Sequence, residues 1–377
     1  MTNDKPLLLK ILLFPFAFIY LLIVNIRNWC FEVGILPSEK FNHTTVITIG
    51  NISMGGTGKT PFCEYVVRLL KEQYNVVILS RGYKRKTSGY LVADDNSTAD
   101  DIGDEPFQMK SKFPGVTVAV DANRRRAIAT LLKKSEPKPD VFVLDDAYQH
   151  RYVTPDLSIL LVDYHNLITN DHIFPIGRLR EPLKGKDRAN IVVVTKCPRD
   201  VKPIELNTLG KEMNLFPYQQ LYFTTIDYQE LQPVFPAEAP SLKMGDLAEY
   251  GVLCVSGIAK PGPFEAEVAR QCLVASHLRF SDHHKFNKRN YSKMMTELEK
   301  IVCDERHLVN CEDKRIIITT EKDAMRIKCD PNVPSEVKSI IYFLPLELKF
   351  VNNQETFNKN LIDYVDKNKN YVRISEE

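Results

Sequence analysis

The chain has 377 residues, too long for one ordinary core and comfortable as a larger and a smaller domain. Its 50 Lys and Arg against 48 Asp and Glu leave a formal net charge of +2, which supplies no overall field for gripping nucleic acid. The 8 cysteines form no C-x-x-C pair and no zinc-finger spacing with histidine, which argues against a zinc site or disulfide framework and for a reducing, cytoplasmic setting.

The first element is the apolar run 7–24, broken by Lys10 and carrying Pro15. A spanning helix takes about 20 apolar residues, so the run suits an interfacial anchor as well as a true crossing. No small-residue cleavage site follows, because Ile26-Arg27-Asn28-Trp29-Cys30 is bulky and charged, which counts against a secretory signal. A buried core helix is the remaining alternative, and it would need a layer to hide in.

Next, Thr45-Val-Ile-Thr-Ile reads as a buried strand ending on Gly50, and residues 61–70 read as a helix. Further short β-branched runs begin at Val76, Val116, Val141, Leu157 and Ile191, with a helical stretch over 125–134. Runs without polar alternation are strands of a parallel sheet covered on both faces, so this part reads as a doubly wound α/β domain, a sheet type that P-loop NTPases share. Prolines cluster at 232–240 and mark a hinge or linker. Beyond it, strand patterns at Gly251, Arg315 and Ser339 and a helix over 264–271 make a smaller α/β domain, and the polar tail after Asn352 is expected on the surface. The predicted division is an anchor over 1–28, the larger α/β domain over 29–228 and the smaller C-terminal α/β domain over 229–377.

Between the first strand and its helix lies Gly55-Gly56-Thr57-Gly58-Lys59-Thr60. There, backbone N–H groups and a helix N-terminus can wrap a phosphate chain, with Lys59 reaching the β/γ-phosphates and Thr60 holding Mg²⁺. The strict pattern would put its first glycine on Ser53, so the added Gly55-Gly56 must supply that freedom. Val141-Phe-Val-Leu ends in Asp145-Asp146, the place where this fold puts the carboxylates that organise magnesium. Gly103-Asp104-Glu105-Pro106 and Asp282-His283-His284 are candidates to accept a hydroxyl proton. Arg124-Arg125-Arg126 and Arg178-Leu-Arg180-Glu181-Pro182 offer guanidinium forks for phosphate.

Together with Ser80-Arg-Gly-Tyr83, Gln149-His150, Ser256-Gly-Ile and Thr320-Glu-Lys-Asp323, these motifs resemble the tetraacyldisaccharide 4′-kinases of lipid A synthesis, from the anchor to about residue 325. The resemblance implies transfer of the ATP γ-phosphate to the 4′-hydroxyl of a lipid-bearing glucosamine disaccharide 1-phosphate. It also implies work at the cytoplasmic face of the inner membrane, with the bilayer surface and the lipid precursor as partners and no obligate protein partner. On this resemblance Lys59 and Thr60 carry the phosphate loop, and Asp145 and Asp146 with Thr60 carry magnesium. Asp104 is the base, in a dyad with His283, although His284 stays open as the partner. Arg124, Arg180, Glu181, Gln149 and Tyr83 fall on substrate-binding or supporting positions. The dyad residues, read as lying in different domains, would meet by closure about 232–240. Three places depart from the family's pattern: Ala147-Tyr148, Asn170-Asp171-His172 and Lys285-Phe286-Asn287.

Two other classes compete. A P-loop GTPase or ATPase switch or metallochaperone would read guanine with an N/T-K-x-D element, and Thr195-Lys196-Cys197-Pro198 begins like one but has proline where the aspartate belongs. A membrane-anchored scaffold gives no reason for a phosphate loop together with two strand-end aspartates.

Overall fold

A computed structural model of the protein describes residues 5–272, 274–301 and 314–376; Cys303 and Cys311 fall outside them. In chain order the strands are β1 (Thr45–Gly50), β2 (Val76–Ser80), β3 (Leu91–Val92), β4 (Thr117–Val120), β5 (Val141–Asp145), β6 (Leu157–Asp163) and β7 (Ile191–Thr195). They continue as β8 (Gln220–Tyr228), β9 (Gln232–Pro233), β10 (Gly251–Ser256), β11 (Val274–Arg279), β12 (Arg315–Thr320), β13 (Ile341–Leu344) and β14 (Leu346–Phe350).

The larger sheet has nine strands in the order β14-β8-β7-β6-β1-β5-β2-β4-β3. From β8 to β4 the neighbours pair in parallel, and the short β3 runs antiparallel to β4. Every residue of β1, β2, β5, β6 and β7 is buried, which is why these runs show no polar alternation. β1 lies between β6 and β5, and Ile49 is in register with Asp145. The loops leaving β1 and β5 therefore emerge side by side at the carboxyl edge, where open α/β sheets bind ligands.

The smaller sheet has the order β11-β10-β12-β13-β9. Alternate residues of β10 feed two cores: Leu253 and Val255 pack with Tyr291 and Met294, while Val252 and Cys254 pack with Phe264 and Val268. Gln232 and Pro233, expected in a hinge, instead pair with Phe343 and Tyr342 as the antiparallel edge of this sheet. Proline suits an edge because it has no N–H to donate inward.

The chain divides into two compact units that differ from the predicted domains. The first holds Met1–Asn96, Met109–Ile226 and Leu348–Glu377; the second holds Ser97–Gln108 and Asp227–Glu347. Residues 97–108 join the second because their charges are paired there: Asp100 with Lys285 at 2.6 Å, Asp104 with Arg326 at 2.7 Å and Glu105 with Lys322 at 3.2 Å. The tail joins the first because the helix Gln354–Glu376 buries Phe357, Leu361 and Val365 at a four-residue spacing. Phe357 meets Phe62 edge to face at 5.8 Å, so the polar tail expected on the surface braces the helix that follows the phosphate loop.

The apolar run forms the helix Leu7–Glu32, longer than its apolar part suggested. At 1.5 Å per residue its 26 residues extend about 39 Å, and among the described residues it is the helix long and apolar enough to cross a membrane. One stripe docks on the first unit. Lys5 donates to the Pro175 carbonyl, Tyr20 to that of Arg180 at 2.8 Å and Arg27 to that of Gln149 at 2.9 Å. The rest is bare: Leu8 is 83% exposed and Phe16 63%, an apolar face of the kind a bilayer covers.

Candidate active site

The phosphate loop joins β1 to the helix Lys59–Leu70. Gly58 caps that helix at φ 79° and Gly55 sits at φ 111°, backbone that side chains other than glycine rarely adopt. The loop is braced from neighbouring strands. Asn51 Nδ2 donates to Thr57 Oγ1 at 2.8 Å, Thr195 Oγ1 donates to the Thr57 carbonyl at 2.8 Å, and Lys196 Nζ donates to the Gly56 carbonyl. Lys196 also pairs with Asp163 at 3.1 Å. The segment that began like a guanine-reading element thus holds the phosphate loop.

Gly50 shows why one departure from the family pattern is sterically coupled to the loop. A Cβ there would lie 2.7 Å from Tyr148 Cβ and 2.9 Å from its backbone nitrogen. Gly50→Ala should therefore destabilise the fold by about 1–3 kcal/mol, the usual cost of overpacking. Urea unfolding checks this: an unchanged midpoint would show that the Tyr148 turn can yield.

Lys59 Nζ lies 3.6 Å from Asp146 Oδ1, and Arg180 Nη1 lies 3.6 Å from the same oxygen. That oxygen is buried and accepts no hydrogen bond, and the backbone of Asp146 is left-handed at φ 45°. Asp145 is 1% exposed, with Cys63 Sγ 3.4 Å from its Oδ1. Oxygen donors with a buried, unsatisfied carboxylate oxygen suit a hard divalent cation. Among the described residues no group of three or more His, Cys, Asp or Glu converges as a metal site, so such an ion would take its remaining ligands from Thr60, nucleotide oxygens and water.

Arg124 opens the helix Arg124–Lys134 and is 3% exposed. Burial draws its pKa down to about 10 against the upward pull of Asp145, so it remains a cation at neutral pH. Its neighbours are engaged elsewhere, Arg125 over the Tyr152 ring and Arg126 on Asp121 at 2.8 Å. Gln149 Nε2 donates to the Asn51 carbonyl at 2.6 Å and to Glu181 Oε1 at 3.0 Å, and Glu181 pairs with Arg188 at 2.9 Å. His150 is pushed down to about 4 by burial and by the charges of Arg124, Arg27, Arg125 and Arg81, so it is neutral in an electropositive region. Tyr83 is 62% exposed, with Lys84 over its ring.

Asp104 begins the helix Asp104–Lys112, and its Oδ2 lies 2.8 Å from His283 Nδ1. His284 turns elsewhere: its Nε2 lies 3.0 Å from Asn290 Oδ1 and its ring stacks on Phe280. Asp104 and His283 belong to the same compact unit, so their meeting needs no closure of one domain over another, contrary to the sequence-based expectation. Arg326, which sequence reasoning passed over, donates to Asp104 Oδ2 from Nη2 at 2.7 Å and Nε at 3.1 Å. The available signal was its place three residues after Asp323, one turn along the same helix face. Asn51, Thr195 and Lys196 were not read as loop braces, because nothing local in the sequence places them against residues 55–60.

The chain matches the family model for tetraacyldisaccharide-1-P 4′-kinases over residues 9–366. It is 46% identical to a tetraacyldisaccharide 4′-kinase of Bacteroides thetaiotaomicron over 97% of this chain and 95% of that one. It is 45% identical to one of Parabacteroides distasonis, over 97% of each. Its fold is similar to that of LpxK from Aquifex aeolicus crystallised in complex with ATP, at a TM-score of 0.72 and 29% identity, covering 95% of this chain and 99% of that one.

Proposed function

The chain belongs to the tetraacyldisaccharide-1-P 4′-kinase family, and from that premise we propose how its residues share the reaction. It is an ATP-dependent kinase that phosphorylates the 4′-hydroxyl of a tetraacylated disaccharide 1-phosphate in lipid A biosynthesis. The observation that carries the assignment of parts is the register of Ile49 against Asp145, which sets the glycine loop beside the paired carboxylates.

In this reading residues 55–60 cradle the ATP phosphates with backbone N–H groups, and Lys59 neutralises charge gathering on the γ-phosphoryl group. Thr60, Asp145 and Asp146 would hold Mg²⁺, which would supply charge stabilisation for the phosphates. Arg124 and Arg180 bind substrate phosphate oxygens through their guanidinium forks, while Glu181 and Gln149 order the segment behind them and Tyr83 meets the substrate. Asp104, oriented by His283, accepts the proton of the 4′-hydroxyl as its oxygen bonds to the γ-phosphorus and the bridging P–O bond to ADP breaks. The helix Leu7–Glu32 associates with the bilayer, on the cytoplasmic face where ATP is available.

Incubating purified enzyme with ATP, Mg²⁺ and the disaccharide 1-phosphate lipid should yield the bisphosphorylated product by mass spectrometry; ATP hydrolysis without that product would overturn the reading. Deleting residues 1–24 should leave nucleotide binding intact and lower the rate on vesicle-borne lipid, because the helix concentrates enzyme at the surface. Equal vesicle rates for the two forms would remove the anchoring role.

A further inference from the structure

Four of the motifs singled out in the sequence converge on one side chain to which none of them assigns a role. The guanidinium of Arg326 is 7% exposed and carries several bonds at once. Nη1 donates to Asp323 Oδ1 at 2.6 Å and to the Gly257 carbonyl at 3.2 Å, while Nε and Nη2 both donate to Asp104 Oδ2. Nη2 also lies 3.1 Å from His283 Nδ1. Gly257 belongs to Ser256-Gly-Ile, Asp323 to Thr320-Glu-Lys-Asp, Asp104 to Gly-Asp-Glu-Pro and His283 to Asp-His-His.

The scaffold behind Arg326 is closely hydrogen-bonded. Thr320 Oγ1 caps the helix Glu321–Lys328 by accepting from the Asp323 N–H and donates in turn to Asp323 Oδ2 at 2.7 Å. The Gly257 N–H donates to Asp323 Oδ2 at 2.8 Å, and the His283 N–H to the Gly257 carbonyl at 3.1 Å. A Cβ on Gly257 would come within 3.0 Å of Asp323 Oδ1, so the approach is tight. A planar fork with fixed donors is what such a junction needs; a lysine could supply the charge but not the geometry.

The division of the Asp104 carboxylate is the telling point. Oδ2 receives Arg326 twice and His283 once, whereas Oδ1 accepts no hydrogen bond among the described residues. We propose that Arg326 is the positioning residue of the acid–base pair, pinning Oδ2 of Asp104 so that Oδ1 alone is presented to the sugar hydroxyl. This rests on the reading of Asp104 as the base. The same contacts keep Asp104 ionised: burial works to raise its pKa, but Arg326, then His283 and Lys322, carry it below the usual carboxylate range. Other ionisable groups facing the pair include Asp282, 3.9 Å from His283 Nε2, and the Cys329 thiol, whose pKa burial raises.

The test is the pH profile of kcat/KM for full-length Arg326→Gln, Arg326→Lys and Asp104→Asn, with ATP binding and thermal unfolding as controls. Without the guanidinium, burial dominates and Asp104 holds its proton to higher pH, so the acidic limb moves upward. Arg326→Gln should then lose several-fold more activity toward the acid end of the profile than near pH 9, with ATP binding unchanged. A purely structural role would lower activity evenly across pH, and a profile parallel to the unaltered enzyme's would overturn the proposal. Should Arg326→Gln fail to fold, Arg326→Lys carries the test, because it keeps the charge but loses the fork: its limb should move the same way by less, and a superimposable profile would refute the role. Activity retained in Asp104→Asn would sink the base reading and this proposal together; an inactive Asp104→Asn with unshifted Arg326 variants would sink only the latter.

Discussion

Lys59→Ala should lower kcat by about 10²–10³ while the protein stays folded, the loss typical when one preorganised donor to a developing anion is removed. The ammonium sits at the first residue of a helix and within 3.6 Å of Asp146, so it is held in place before ATP arrives. Its interaction strengthens as charge shifts toward the transferred phosphoryl group, which places the loss mainly in kcat rather than in KM for ATP. The side chain is only 13% exposed, so thermal unfolding of the variant separates lost packing from lost catalysis. Near-normal kcat in folded Lys59→Ala would show that the loop 55–60 is not the phosphate site.

Asp104→Ala should depress kcat by about 10²–10⁴, the range of general-base assistance, with a modest change in KM for ATP. His283→Ala should cost less, because the imidazole acts through the 2.8 Å contact to the carboxylate. Once Asp104 is absent, His283 has no base to orient, so the double variant should resemble Asp104→Ala alone. His284→Ala should leave the acidic limb of the pH profile in place, since that ring is directed to Asn290 and Phe280. Steady-state kcat for the three single variants and the Asp104/His283 pair decides among these: fully multiplicative losses would exclude a coupled dyad, and a normal Asp104→Ala would remove the base.

The central sheet was legible because its strands are buried on both faces and show it as uninterrupted β-branched runs. Val76–Ser80, Val141–Asp145 and Ile191–Thr195 lie where those runs lie. The helix Gln354–Glu376 was not legible. Three apolar residues at four-residue spacing are diluted among lysines and asparagines, and only the aromatic face of Phe62 and its neighbours gives that stripe something to bury against. Gln232-Pro233 failed for a related reason: proline signals a break locally, and only the edge of β13 turns it into a strand.

The glycine loop and the strand-end aspartates could be picked out as candidates from sequence because their pattern is local: glycines, a lysine and a hydroxyl within six consecutive positions, and carboxylates directly after an apolar run. Pairing His283 rather than His284 with Asp104, and placing Asp104 in the second unit, required the tertiary structure. So did the junction at Arg326, which joins residues more than two hundred positions apart. Ion pairs and shared hydrogen bonds depend on distances of about 3 Å between side chains, and for residues remote along the chain only folding sets those distances.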